Sequence, residues 1–157
     1  MHAAILVLLF TFLPTLELRA SIPYLLLATD LPALPFLIAI VVANILLGFL
    51  LYELVDVIIS LARRWPWFDR WFSKIVLRAQ RRIQRSIDRY GEIGVALFIG
   101  IPFPGSGVYT GALGAYLLGV RRRDFYLATV LGVLIAGTLV TLISLLGEGI
   151  FGVGALP

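Results

Sequence analysis

The sequence predicts an all-α integral membrane protein. Its plan is an inverted repeat of two re-entrant helical hairpins, each followed by a transmembrane helix, with a central cytoplasmic amphipathic helix between the halves. Three observations predict this. Of 157 residues, 61% are hydrophobic and only 14% charged, with a mean hydropathy of +1.01, against roughly 25% charged in a soluble domain. Two apolar runs are long enough to cross a bilayer, while two others are interrupted by Pro, Gly or charge where a span would be smooth. All of the 13 Lys and Arg residues except Arg19 lie between Arg63 and Arg123.

The elements follow in order within a single membrane domain, residues 1–157. Hairpin 1 covers 1–28: Ala3 to Leu13 is apolar, Pro14, Glu17, Arg19, Ser21 and Pro23 interrupt it, and Tyr24 to Ala28 is apolar again. Each limb reaches roughly 10–18 Å, about half of a ~30 Å hydrocarbon core. No basic residue precedes the first apolar run and no small-residue cleavage site follows it, so it reads as a retained segment rather than a secretory signal. Thr29 to Pro35, with Asp30, Pro32 and Pro35, reads as an interfacial loop. Residues 36–61 form the first full span, broken only by Asn44, Tyr52, Glu53 and Asp56.

From 65 to 90 the period changes. Phe68, Phe72, Ile75, Ala79, Ile83, Ile87 and Tyr90 recur at three and four, opposite Arg70, Lys74, Arg78, Arg81, Arg85 and Arg89. That pattern predicts an amphipathic helix lying on anionic headgroups, with Trp65, Trp67 and Trp71 at the interface. Residues 93–118 are apolar again but contain Pro102, Pro104, Gly105, Ser106 and Gly107, where a helix must break. This is hairpin 2, and residues 125–146 form the second span.

Charge decides how the broken segments sit. The positive-inside rule places 63–123 at the cytoplasmic face. If 93–118 crossed completely, Arg121, Arg122 and Arg123 would face outward, so it is expected to enter and return. The first hairpin must then enter from the outer face, because the span after it ends at Arg63 and Arg64. The halves are thus expected to be inverted repeats whose tips meet near the midplane, a plan familiar in transporters. Pro14 and Pro102 begin the two breaks, and Asn44 and Gly132 fall at comparable points of the following spans.

The candidate substrate-binding or proton-coupling residues are Glu17, Arg19, Asn44, Gly105, Ser106, Gly107, Tyr109 and Thr110. The hairpin-breaking residues are Pro14, Pro23, Pro102 and Pro104. A charge at that depth costs at least about 2.5–3.5 kcal/mol, so Glu17 and Arg19 are expected to be paired or functional. In an extended stretch between Pro14 and Pro23 they would project to one side; the alternative is a purely structural pair, with each other or with Asn44 or Tyr109. A half-helix starting near Ser106, with that serine as cap, would offer free amides to an anion. Gly107, Gly111, Ala115 and Gly119 recur every four residues, a face for close helix packing. With no cysteine and only His2, no thiolate or histidine metal site is expected, nor any cofactor. No nucleophile-base pair points to an enzyme.

Two stretches carry a resemblance. Glu17-Leu18-Arg19-Ala20-Ser21-Ile22-Pro23 fits E-x-R-x-x-I-P, and Pro102-Phe103-Pro104-Gly105-Ser106-Gly107-Val108-Tyr109-Thr110-Gly111 fits P-x-P-G-[ST]-G-x-[WY]-T-G. In order and spacing the chain resembles the small multidrug export protein family, itself similar to the DedA, or VTT-domain, membrane proteins. The resemblance implies opposed re-entrant hairpins, with Glu17, Arg19, Pro23, Pro104, Gly105, Ser106, Gly107 and Thr110 as functional positions, and lipid-carrier translocation as a theme.

The expectation is a multi-pass protein of the cytoplasmic membrane that moves an anionic, lipid-phosphate-like group. Arg19 and the amides near Gly105 to Gly107 would hold the group, and Glu17 would couple the movement to protons. Proton-coupled export of cationic compounds is the alternative, and a non-transporting membrane organiser is an alternative of another class. The partners expected are membrane lipids, with anionic headgroups at the basic helix, and no nucleic acid. A homodimer would thicken the small wall around the polar site; the stoichiometry stays open.

Overall fold

The structure, a computed structural model, describes residues 2–14, 16–67, 69–70, 72–74, 93–101 and 106–151, with side chains described as far as residue 147. Among these residues every regular element is an α-helix: α1 His2–Phe12, α2 Glu17–Ala28, α3 Ala33–Ala62, α4 at 93–100, α5 Val108–Leu118 and α6 Arg122–Phe151. Two stretches, Ala33–Ala62 and Arg122–Gly147, are long and apolar enough to cross a membrane. At 1.5 Å per residue, α3 extends about 45 Å and the 11-residue α1 and α5 only about 16 Å.

The helices end where local chemistry requires it. Pro35 sits within the first turn of α3, where its missing amide is not needed, so the helix begins at Ala33 rather than after the proline. Gly119, at φ 73°, closes α5 in the left-handed conformation. Pro14 falls between α1 and α2, as its loss of a donor dictates. Pro23, by contrast, does not break a hairpin: it lies inside α2, which runs on to Ala28. Apolar helices tolerate such a proline where neighbouring segments absorb the local adjustment. Pro102, Pro104 and Gly105 lie outside the described residues, as does most of the expected amphipathic helix at 65–90. Of that helix, 66–67, 69–70 and 72–74 are helical, and Trp65 and Trp67 are largely exposed.

Packing contacts give each helix a direction. α3 and α6 are antiparallel: Arg122 meets Asp56, Tyr126 meets Glu53, Gly48 faces Thr129 and Gly137 faces Val41. α4 runs beside α6 in the same direction, with Ala96 and Ile99 against Gly132 and Gly100 against Ile135. A β-carbon at position 132 would stand 2.7 Å from the Ile99 β-carbon and 2.8 Å from the Ala96 carbonyl, so only glycine permits this crossing. α5 runs beside α3 in the same direction, from Val108 near Gly48 to Tyr116 near Tyr52. α1 and α2 pair antiparallel through the Phe10 and Tyr24 rings, 5.3 Å apart, and through Thr11 and Ser21, 2.8 Å apart.

The core is formed by Val7, Leu18, Ile22, Leu25, Ile40, Ile99, Val108, Phe125 and Val133, so it draws on all six helices. Outside it, Leu34, Leu46, Leu50, Leu131 and Ile143 are more than half exposed. On membrane-crossing helices such an apolar exterior is a lipid-facing surface.

Candidate functional site

The site begins with a backbone constraint. The chain turns at 13–16 through single-turn hydrogen bonds, from the Leu16 amide and from the Glu17 amide to the Leu13 carbonyl. Glu17 then starts α2 at φ 45°, the left-handed region. For a residue with a β-carbon this costs about 1–3 kcal/mol and persists only where surroundings enforce it. Here the surroundings are a second break, between α4 and α5.

Glu17 is 2% exposed. Its carboxylate accepts a hydrogen bond from Arg19 Nη1 at 3.0 Å and from the backbone amides of Val108 and Tyr109, each at 3.4 Å. Those two amides are at the start of α5, orphan donors at the positive end of the helix dipole. Arg19 faces the other side of the same break. Its Nη2 donates to the Ile99 and Ile101 carbonyls at 3.2 Å and to Ser106 Oγ at 2.9 Å. The two carbonyls are at the end of α4, the negative pole of that helix. The ion pair of α2 is therefore set into the gap with each charge against the helix end of opposite sign. Burial penalises both charges, and the backbone dipoles offset that penalty together with the mutual attraction.

Gly107 makes room for this arrangement. It is the N-cap of α5 at φ 140°, and a β-carbon there would stand 2.6 Å from Glu17 Oε1 and 2.8 Å from Arg19 Nη1. Ser106 is therefore not the cap of α5. Its hydroxyl instead donates to the Ile101 carbonyl at 2.7 Å while accepting from Arg19, which closes the loop across the break. Tyr109 contributes twice, by its amide to Glu17 and by its hydroxyl, which donates to the Phe12 carbonyl at the end of α1 at 2.6 Å. Thr110 Oγ1 reaches the Gly107 carbonyl at 3.5 Å.

The structure thus brings together Glu17, Arg19, Ser106, Gly107 and Tyr109, with Thr110 adjoining. The Glu17 and Arg19 side chains meet from the first turn of a helix, not from an extended stretch. Asn44 is fully buried but makes no hydrogen bond to the pair: its Nδ2 donates to the Ile40 carbonyl of its own helix at 3.3 Å, and its Oδ1 has no partner. The Thr129 hydroxyl, on the neighbouring face of α6, is likewise buried without a partner, and so is Arg19 Nε. Among the described residues no three His, Cys, Asp or Glu side chains gather as a metal site would require.

A second polar cluster was not singled out from the sequence. Arg122 Nη1 lies 3.2 Å from Glu53 Oε2 and its Nη2 lies 2.5 Å from Asp56, while the Tyr126 hydroxyl donates to Glu53 at 2.5 Å. The Tyr52 hydroxyl donates to the Val120 carbonyl at 2.7 Å. The signal was present: Glu53 and Asp56, three apart, share one face of an otherwise apolar helix, and such charges require partners.

Comparison with known proteins adds one match. A family model described as "Putative small multi-drug export protein" matches residues 17–139, most of the chain, beginning at the buried glutamate. No curated protein and no solved structure matches the chain.

Proposed function

The chain belongs to the small multi-drug export protein family, and from that premise we propose a membrane transporter whose substrate site is the junction of the two helix breaks. The cargo we propose is an anionic, lipid-phosphate-like group. One observation carries this reading: a carboxylate already sits on the first amides of α5, with a guanidinium beside it. A phosphate entering the junction would find the same amides, the same cation and the one Arg19 donor, Nε, that has no partner. Protonation of Glu17 would weaken its hold on these donors, which is the step that would couple cargo to protons.

Two re-entrant hairpins of inverted topology are part of the proposal. Their support is direction and reach. Because α4 runs with α6 while α5 runs with the antiparallel α3, residues 93 and 118 lie toward the end of the fold where α6 begins. The start of α1 and the end of α2 lie toward the opposite end, where α3 begins. The half-length helices stop level with Gly48, near the middle of α3. In this reading the positive-inside rule turns Arg63, Arg64 and Arg121 to Arg123 toward the cytoplasm, and the membrane proposed is the cytoplasmic one.

The family description favours a second reading, proton-coupled export of cationic compounds with Glu17 as counter-charge. Against it, three donors already engage the Glu17 carboxylate, and Arg19 would repel a cation. The test is translocation of labelled polyprenyl phosphate or glycerophospholipid in proteoliposomes. Arg19→Ala is expected to abolish transport, and Glu17→Gln to remove its dependence on the pH gradient. Equal rates in wild type and both variants would sink the mechanism, and faster efflux of a cationic dye from Arg19→Ala would favour the second reading.

A further inference from the structure

On the outside of the fold, α4 and α6 leave an apolar groove of about 190 Å³ that none of the ion-pair residues lines. Ile93, Ala96 and Leu97 line one wall and Leu127, Leu131 and Ile135 the other. The residues of the second wall follow one another at intervals of four, and the residue four before Leu127 is Arg123, so a cation heads the same stripe. The three arginines there are not equivalent. Arg121 is held by Asp124 at 2.9 Å, and Arg122 by Glu53 and Asp56. Arg123 is exposed and has no ion pair among the described residues.

We infer that this groove binds one anionic phospholipid, its phosphate on Arg123 and one acyl chain along Leu127, Leu131 and Ile135. The dimensions match, because twelve residues of helix cover about 18 Å, close to the ~15 Å depth of one leaflet of a ~30 Å core. The side chains that face the chain are open to it: Ile93 is 60% and Leu131 56% exposed. What marks this place is the conjunction of an exposed cation with an apolar slot between two helices. The inference does not depend on the transport reading, since it concerns a resident lipid rather than cargo.

Native mass spectrometry of the purified full chain in detergent tests it. The protein is titrated with phosphatidylglycerol, phosphatidylethanolamine and diacylglycerol, and the tightest lipid is read. Phosphatidylglycerol is expected to bind best. Arg123→Gln should weaken it about fivefold, the worth of one interfacial cation, while Arg121→Gln should leave it unchanged. Leu131→Trp, at an exposed position, should block the groove and remove the tight site without altering the melting temperature. Equal losses from Arg121→Gln and Arg123→Gln would reduce the effect to diffuse surface attraction and overturn the site. So would full binding to the Leu131→Trp protein, or diacylglycerol binding as tightly as phosphatidylglycerol. None of these readings involves transport, so failure here and failure of the transport mechanism are separate results.

Discussion

The ion pair between Glu17 and Arg19 and the one joining Arg122 to Glu53 and Asp56 use the same chemistry in opposite surroundings. In the first, the side chains are 3% and 14% exposed; in the second, Arg122 is 57% exposed and its two partners about a third or more. The buried pair recruits backbone, two amides of α5 and two carbonyls where α4 ends, whereas the outer cluster is built from side chains, three charges and the Tyr126 hydroxyl. The difference teaches that a charge inside this fold is tolerated because a helix break supplies dipoles for it. At the ends of the spans, side-chain partners suffice.

That contrast can be broken by mutation. The largest effect is expected from Arg19→Ala, which leaves the Glu17 charge buried without its cation; losing one member of such a pair costs about 3–5 kcal/mol, read as a large fall in the detergent melting temperature. Gly107→Ala should follow, at about 2–3 kcal/mol, from the strain of φ 140° and the displacement of the Glu17 carboxylate. If Gly107→Ala melted like wild type, the close seating of the carboxylate on α5 would be wrong. Asn44→Leu sharpens the comparison by removing a buried polar group that meets no helix end, only the Ile40 carbonyl of its own helix. Its Oδ1 is unpartnered, so replacement should change stability by less than about 1 kcal/mol in either direction. A transport defect in that stable variant would assign Asn44 a role in moving cargo. The smallest effect is expected from Glu53→Gln in the outer cluster, whose melting temperature should match wild type within the scatter between preparations, most clearly at high salt.

Much of this contrast was legible in the sequence, for identifiable reasons. Hydropathy and length locate α3 and α6 because spanning segments need about 20 apolar residues whatever surrounds them. Pro14 marks the first break because proline lacks a donor, and the cost of intramembrane charge singles out Glu17 and Arg19. Pro23 misled, because the same rule is relaxed inside a packed membrane fold and α2 continues through it. The conformation of Glu17 at φ 45° could not be read, since no local residue preference favours it; contacts from residues about 90 positions away hold it there. For the same reason the capping role fell to Gly107 rather than Ser106. A carboxylate from another helix supplied the acceptor that a serine side chain would otherwise provide. The Glu53 and Asp56 cluster was visible as a spacing, but its partner lies 66 residues on, at the start of the next span.

The seating of Glu17 also has a meaning in mass action. Any free anion that reaches the first turn of α5 competes with a carboxylate that cannot diffuse away. A ligand on a short tether acts at an effective concentration of about millimolar, and one whose backbone is already bent toward its site loses little further freedom on binding. In the proposed reading, a cargo anion must outcompete the Glu17 carboxylate for those amides while Glu17 stays charged, so an anion that binds them no better and is no more concentrated than that gains little of the junction. The glutamate thereby serves as a built-in threshold, set by its own chain.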